Sequence, residues 1–226
     1  SGKNPVSFSE AVVQGIAPDG GLYVPSEFPS IDMTDSHLQR LSYRQLAEYI
    51  LSLFIPDFSR EELAACVREA YDDKFRDQGI APLHSCGEAH FIELHHGRTL
   101  AFKDMALSIL PLFLTTAAKK LGIDDTIVIL TATSGDTGKA ALEGFADVDG
   151  VKIVVFYPTD GVSEVQKRQM TTQEGANTEV IGIAGNFDDA QNGVKAIFGD
   201  SELREKIAAR GYRFSSANSI NPGRLL

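Results

Sequence analysis

The chain has 226 residues, 43% of them hydrophobic, and its 31 acidic and 21 basic side chains give a net charge of −10. This length allows one large α/β domain or two smaller ones, and the acidic balance disfavours nucleic acid or an anionic membrane as the main partner. Cys66 and Cys86 are too few for a disulfide framework, and no apolar run approaches the roughly 18 residues of a membrane span, so a cytoplasmic location is expected.

The first third of the chain has the sequence pattern of helices. A short helix is predicted from Phe8 to Gln14, ahead of a glycine-rich turn. Two longer helices are predicted to begin at capping boxes, one at Ser42 with Gln45 and one at Ser59 with Glu62. Their apolar faces are predicted to consist of Leu46, Ile50, Leu53 and Phe54 in the first of these helices, and of Val67, Ala70 and Tyr71 in the second.

Residues 81–102 have an extended pattern. A strand is predicted at Phe91 to Leu94, then a turn, and then a second extended piece from Thr99 to Phe102. One helix is predicted to run from Asp104 to Lys120, with apolar residues at helical spacing. Lys103 is therefore expected to project from a strand-to-helix junction.

From residue 126 onward, strands and helices alternate. Strands are predicted at 127–130, 151–157, 179–183 and 212–215, and helices at 138–145, 163–171, 187–198 and 202–209. Such alternation predicts an α/β fold with a parallel sheet and helices on both of its faces. Ligands of these sheets bind beyond the carboxyl ends of the strands, which is where residues 134–138 follow the first strand.

The turn at 133–138 is a candidate anion site. Its glycines, Gly135 and Gly138, leave backbone N–H groups at a helix N-terminus, where small anions bind. The hydroxyl groups expected to face the same region are those of Thr133, Ser134 and Thr137. The spacing fits neither a Walker loop nor a dinucleotide fingerprint. A carboxylate or phosphate group of a small molecule is the preferred interpretation, and a plain tight turn is the alternative.

Lys103 has two interpretations. It is either a surface lysine near a helix start, or an amine whose partial burial and neighbouring helix end let it form a Schiff base. Arg98, Lys167 and Arg168 are further candidates for binding a phosphate, although solvent-exposed helix charges are the preferred interpretation of the last two.

The histidines of the chain do not follow a standard zinc pattern, and no metal is predicted. His84, Cys86 and His90 precede the adjacent pair His95 and His96, whose side chains are expected to point apart in a strand or turn.

Five segments together resemble threonine synthases, which are pyridoxal-phosphate enzymes of fold type II. They are VSFSEAVVQGIAPDGGLYVP at 6–25, ELHHGRTLAFKD at 93–104, TATSGDTG at 131–138, FYPTDGVSEVQ at 156–166 and SANSINPGRLL at 216–226. The resemblance covers the whole chain in the family's order. It implies conversion of O-phosphohomoserine and water to L-threonine and phosphate by aldimine chemistry on pyridoxal 5'-phosphate, an activity of a carbon-oxygen lyase.

The resemblance also implies roles for residues. Lys103 would hold the cofactor as an internal aldimine and act as the catalytic base, and Asp136, Asn218 and Ser219 would bind the cofactor. The residues that would contact the substrate are Thr133, Ser134, Gly135 and Thr137. Asn221 would support the site. Related enzymes have Asn where Asp136 stands, and the usual GPT before the lysine is Gly97-Arg98-Thr99 here.

The resemblance further divides the chain into four parts. Residues 1–80 would form an N-terminal helical accessory region, and residues 81–125 would form part of a large domain that contains the lysine. Residues 126–214 would form a small parallel α/β domain, and residues 215–226 would return to the large domain. The loop that binds the cofactor phosphate is expected beyond Leu226. The chain is therefore expected to be an N-terminal fragment with weak or no activity, either a monomer or a homodimer.

Two alternatives remain open from the sequence. The first is another fold-type-II lyase, such as an amino-acid dehydratase or a β-replacement enzyme. The second is a non-catalytic protein that binds small molecules and kept the fold. The arm at 6–25 and the turn at 131–138 favour threonine synthase over the first alternative, and Lys103 with the intact SGDTG at 134–138 argues against the second.

Overall fold

The computed structural model describes residues 5–32, 34–218 and 221–226. The helices are α1 Phe8–Gln14, α2 Tyr43–Phe54, α3 Arg60–Ala70, α4 Asp104–Leu107, α5 Leu110–Lys120, α6 Asp136–Phe145, α7 Glu164–Thr171, α8 Phe187–Gly199 and α9 Ser201–Ala208. The strands are β1 Leu83–Cys86, β2 Ala89–Ile92, β3 Thr126–Ala132, β4 Val151–Pro158, β5 Thr178–Ile183 and β6 Tyr212–Ser215. Short 3-10 turns occupy Leu38–Arg40 and Pro222–Leu225. Among the described residues, no helix combines the length and apolar character needed to cross a membrane.

The main sheet has four parallel strands in the order β5-β4-β3-β6. The central strand β3 pairs with β4 from Ile127–Val151 to Ala132–Phe156. Right-handed crossovers place α6 and α7 on one face of this order, and α8 and α9 on the other. The predicted α/β class, with a parallel sheet and helices on both faces, is therefore confirmed, and β1 and β2 form a separate antiparallel hairpin.

The two predicted capping boxes are present, at Ser42 with Gln45 and at Ser59 with Glu62. The apolar face predicted for α2 is wrong by one residue. The buried residues of α2 are Ala47 and Leu51, whereas Leu46 is 36% exposed. Helix α2 packs against α3. The face of α2 that is buried carries Ala47 and Leu51, and the face predicted from its larger number of leucines is not the buried one.

The structure corrects two predictions between residues 99 and 110. The segment from Thr99 to Phe102 is a series of turns and not a strand, with Leu100 at φ +64°. The predicted long helix is divided into α4 and α5. Pro111 lies in the first turn of α5 and has no N–H for the carbonyl of Leu107, so the helical hydrogen bonds are interrupted there.

One hydrophobic core joins the N-terminal helices to the sheet. Tyr71, at the end of α3, is fully buried in this core. Its hydroxyl donates a hydrogen bond of 2.7 Å to the backbone carbonyl of Met105 in α4. Helix α3 is thereby fixed to the helix that follows Lys103.

Replacement of Tyr71 by Phe tests this connection. We expect Tyr71→Phe to lower the free energy of unfolding by about 1–3 kcal/mol, because the buried carbonyl of Met105 loses a donor. Urea unfolding followed by circular dichroism measures the change. Tyr49→Phe, at a side chain that is 37% exposed, is the matched control. Equal stability of the two variants would contradict a structural role for this bond.

Candidate active site

Lys103 lies in the turn immediately before α4, and only 18% of its side chain is exposed. Its ammonium nitrogen lies 4.4 Å from the centroid of the Phe102 ring. The turn is held by the buried carboxylate of Asp104, which accepts hydrogen bonds from Thr99 N at 2.8 Å and from Thr99 Oγ1 at 2.5 Å. Gly97 packs against the same carboxylate, and a Cβ there would overlap it. Lys103 is thus presented by a fixed turn.

The environment of Asp104 raises the pKa of its carboxyl above the ordinary value of 3.8. Burial is the main cause, since it disfavours the charged form. The two hydrogen bonds from Thr99 act in the opposite direction and only partly offset burial. The turn therefore depends on a carboxyl group whose ionised form is costly.

The loop after β3 is organised around Thr133, which is 1% exposed. Its Oγ1 accepts hydrogen bonds from the backbone N–H groups of Gly135 at 3.0 Å and Gly138 at 2.8 Å. The hydroxyls of Thr133, Ser134 and Thr137 were expected to face one region. The Thr133 hydroxyl instead forms hydrogen bonds inside the loop. Ser134 is exposed and Thr137 is half-buried at the start of α6.

The parallel sheet brings Asp136 opposite Lys103. Asp136 Oδ2 lies 3.9 Å from Lys103 Nζ. The other carboxylate oxygen accepts a hydrogen bond of 2.8 Å from Gln166 Nε2, and Ser163 Oγ donates to Gln166 Oε1 at 3.0 Å. Gly135, at φ +147°, packs against the Gln166 amide, where a Cβ would overlap. A chain of contacts therefore links the start of α7 to the lysine.

Gln166 was not among the residues predicted for the site. Its only local signal was the spacing from Ser163, which is that of a helix cap. The contact with Asp136 joins residues 30 positions apart and arises from the packing of α7 on α6.

A cavity of about 170 Å³ lies beside Lys103. It is lined by Leu94, Phe102, Lys103, Met105, Ala106, Gly223, Arg224 and Leu226. Asn221 fixes the C-terminal wall, because its Nδ2 donates to the carbonyls of Ala106 at 3.2 Å and Asn218 at 3.0 Å. Ser219, predicted to bind the cofactor, lies outside the described residues.

Other predicted residues lie elsewhere. Arg98 is paired with Glu143 at 3.2 Å. Burial acts to raise the pKa of Glu143, but Arg98 and Lys139 outweigh it, and the pKa is lowered. The side chains of His95 and His96 do not point apart as expected, since their rings stack with centroids 4.6 Å apart.

A larger cavity, of about 640 Å³, lies away from Lys103 and contains none of the predicted site residues. Its walls come from α2 and from the segment after α3, and they consist of Ser42, Tyr43, Arg44, Asp72, Asp73, Phe75, Arg76, Asp77, Gln78 and Ile80. Its size alone assigns it no chemistry.

The pKa of Asp104 yields a test of the turn. Because native Asp104 holds its proton to a higher pH than the unfolded chain, its contribution to the free energy of unfolding falls as pH rises from about 3.8. We therefore expect wild type to lose stability relative to Asp104→Asn over this rise. Urea unfolding at a series of pH values measures the difference. The exposed Asp149→Asn variant controls for net charge. A difference that grows in favour of wild type with rising pH would contradict the assignment.

The family model described as threonine synthase N terminus matches residues 1–71. The threonine synthase of Saccharomyces cerevisiae is 37% identical over 239 residues, in an alignment that covers 98% of this chain and 45% of that protein. The threonine synthase of Pseudomonas aeruginosa is 39% identical, with 98% and 46% covered. The chain thus spans less than half the length of these curated relatives.

Solved structures agree with these matches. The pyridoxal-phosphate-bound threonine synthase of Brucella melitensis superposes with a TM-score of 0.83 and 37% identity, over 99% of this chain and 47% of that one. The threonine synthase of Escherichia coli gives a TM-score of 0.81 and 37% identity, over 97% and 48%. In sequence and in fold, nearly the whole chain is similar to part of these threonine synthases, and residues 1–71 match the model of their N terminus.

Proposed function

We propose that the chain forms the N-terminal portion of a threonine synthase, a pyridoxal-phosphate-dependent carbon-oxygen lyase. The reaction converts O-phosphohomoserine and water to L-threonine and phosphate. The observation that carries the proposal is the pairing of Lys103 with Asp136 at 3.9 Å beside a cavity, in a chain that aligns with one threonine synthase over 98% of its length and superposes on another over 99%.

The residues around Lys103 fit pyridoxal 5'-phosphate. A mostly buried primary amine borders a cavity whose walls include the apolar Leu94, Met105 and Ala106, so water is partly excluded from the amine. The close approach of Gly223 to Ile109, which a Cβ would prevent, shapes the far wall. When bound, the cofactor supplies an electron sink for the negative charge that develops on the substrate carbon.

Lys103 has two roles in this proposal. Its Nζ would hold the cofactor in the resting enzyme, and the free amine would accept and return protons on one face of the substrate. The turn closed by Asp104 and Thr99 fixes the backbone from which the Lys103 side chain extends.

Asp136 would face the cofactor, with Gln166 holding its carboxylate in orientation through the 2.8 Å hydrogen bond. Asn218 lies where the chain returns toward α4, and its backbone carbonyl accepts a hydrogen bond from Asn221 Nδ2. We assign Asn218 a supporting contact with the cofactor. The assignment of Ser219 to the cofactor stays a prediction.

The substrate carboxylate would bind at the N-terminus of α6. Ser134, Gly135 and Thr137 lie there, and the backbone N–H groups of a helix start favour an anion. Thr133 would support substrate binding indirectly, by holding the loop in shape. Its hydroxyl already accepts two backbone hydrogen bonds from that loop.

Further parts of the proposal concern the whole protein. We propose the boundaries near residues 80, 125 and 214, a cytoplasmic location, and a monomer or homodimer. Because the chain spans less than half the length of its relatives, we expect weak cofactor binding and little turnover from these 226 residues. A dehydratase or β-replacement activity is not favoured, since threonine synthases of two organisms, 37% and 39% identical, each align with 98% of the chain.

Covalent labelling tests the role of Lys103. Incubation with pyridoxal phosphate and reduction by borohydride should attach one cofactor to the peptide that contains Lys103, as measured by mass spectrometry. Lys103→Ala should keep its circular dichroism spectrum and lose this label. Lys195→Ala, at an exposed helix position, should keep it. Labelling spread evenly over surface lysines, or unchanged in Lys103→Ala, would overturn the assignment.

A further inference from the structure

Three histidines surround one carboxylate oxygen at the base of the β1–β2 hairpin. Glu93 Oε2 lies 2.8 Å from His96 Nε2, 3.6 Å from His84 Nε2 and 4.0 Å from His95 Nε2. The possible ligand atoms of Glu93, His95 and His96 all lie within 4.8 Å of one another. Nothing in the proposed reaction uses this group.

The backbone holds these side chains in place. Glu93 N donates to the carbonyl of Pro82 at 3.0 Å, and Arg76 N donates to the carbonyl of His96 at 2.9 Å. His84 lies in β1, where it pairs with Phe91 of β2. The chain therefore positions the cluster through hydrogen bonds that do not involve the imidazoles.

The geometry of the cluster is close to that of a metal site. A tetrahedral zinc ion with ligands at about 2.0–2.2 Å requires ligand atoms about 3.3–3.6 Å apart. The distances from Glu93 Oε2 to the three imidazole nitrogens, 2.8, 3.6 and 4.0 Å, bracket that range. The stacked rings of His95 and His96, with planes 26° apart, direct both Nε2 atoms toward the carboxylate.

The chemistry of the donors also suits a metal. Imidazole nitrogen with carboxylate oxygen is a common ligand set for Zn²⁺ and related divalent cations. His95 is 61% exposed, which gives an ion a route from solvent.

We propose that Glu93, His95 and His96 bind one divalent transition-metal cation of the Zn²⁺ class, with His84 as the fourth ligand. The site is structural, and none of its four ligands lines the cavity beside Lys103. It links the exposed β1–β2 hairpin to the segment that leads into Gly97 and the lysine turn. Metal binding would restrain a hairpin whose β1 and β2 residues are all exposed.

Calorimetric titration of Zn²⁺ into metal-stripped, tag-free protein tests the proposal. We expect one ion per chain, and at least about a tenfold loss of affinity in Glu93→Gln and in His96→Gln. His37→Gln, at a histidine far along the chain, is the matched control and should bind like wild type. Circular dichroism confirms that each variant is folded.

Cobalt gives an independent readout of geometry. Co²⁺ should produce the intense visible absorption of a tetrahedral site in wild type and in His37→Gln, and not in His96→Gln. Absence of stoichiometric Zn²⁺ binding, or equal binding by Glu93→Gln, His96→Gln and wild type, would overturn the site. Neither outcome depends on cofactor binding or turnover, so the proposed function is tested separately.

Discussion

The buried carboxylate of Asp104 is the constraint on which the candidate active site depends. It accepts two hydrogen bonds from Thr99, and Gly97 can approach it only because glycine has no Cβ. Folding the segment into turns in this way also requires Leu100 at a positive φ, an unfavourable conformation for leucine. The turn therefore combines two unfavourable features, a buried carboxylate and a strained backbone at Leu100. Together they fix the backbone position of Lys103 at the start of α4.

The second half of the site is supplied by the parallel sheet. β3 ends at Ala132, and the following loop is closed internally by the Thr133 hydroxyl, so its backbone amides and Asp136 have a fixed orientation. Gln166 then joins this loop to α7 and restrains the carboxylate that faces the lysine. Lys103 and Asp136 are 33 positions apart in the printed sequence, and only the packing of α4 against α6 makes them neighbours.

Local signals in the sequence predicted the helices and the strands of the sheet well, since caps and hydrophobic periodicity act within a few residues. The capping boxes at Ser42 and Ser59 and the strand at Tyr212–Ser215 are examples. The failures have long-range or side-chain causes. The segment from Thr99 to Phe102 has the residue types of a strand, but hydrogen bonds from Thr99 to the Asp104 carboxylate stabilise it as turns. The helix predicted from Asp104 to Lys120 is interrupted at Pro111, although its apolar spacing continues across the interruption.

The same distinction applies to the site. Lys103 and the loop at 133–138 were identified from residue types and their place relative to predicted elements. Gln166 and the contacts around Glu93 were not, because a hydrogen bond between distant side chains leaves no periodic pattern. Only the folded structure shows that Asp136 contacts both the Lys103 amine and the Gln166 amide.

The central claim is that Lys103, which lines the cavity beside α4, and Asp136, 3.9 Å from its ammonium nitrogen, face one cofactor. A crystal structure of the borohydride-reduced complex with pyridoxal phosphate tests it most directly. The account predicts continuous electron density from Lys103 Nζ into the cofactor, with the Asp136 carboxylate on the same side and still bonded to Gln166. A cofactor joined to another lysine, or bound in the larger cavity that Arg44 and Asp72 line, would contradict it.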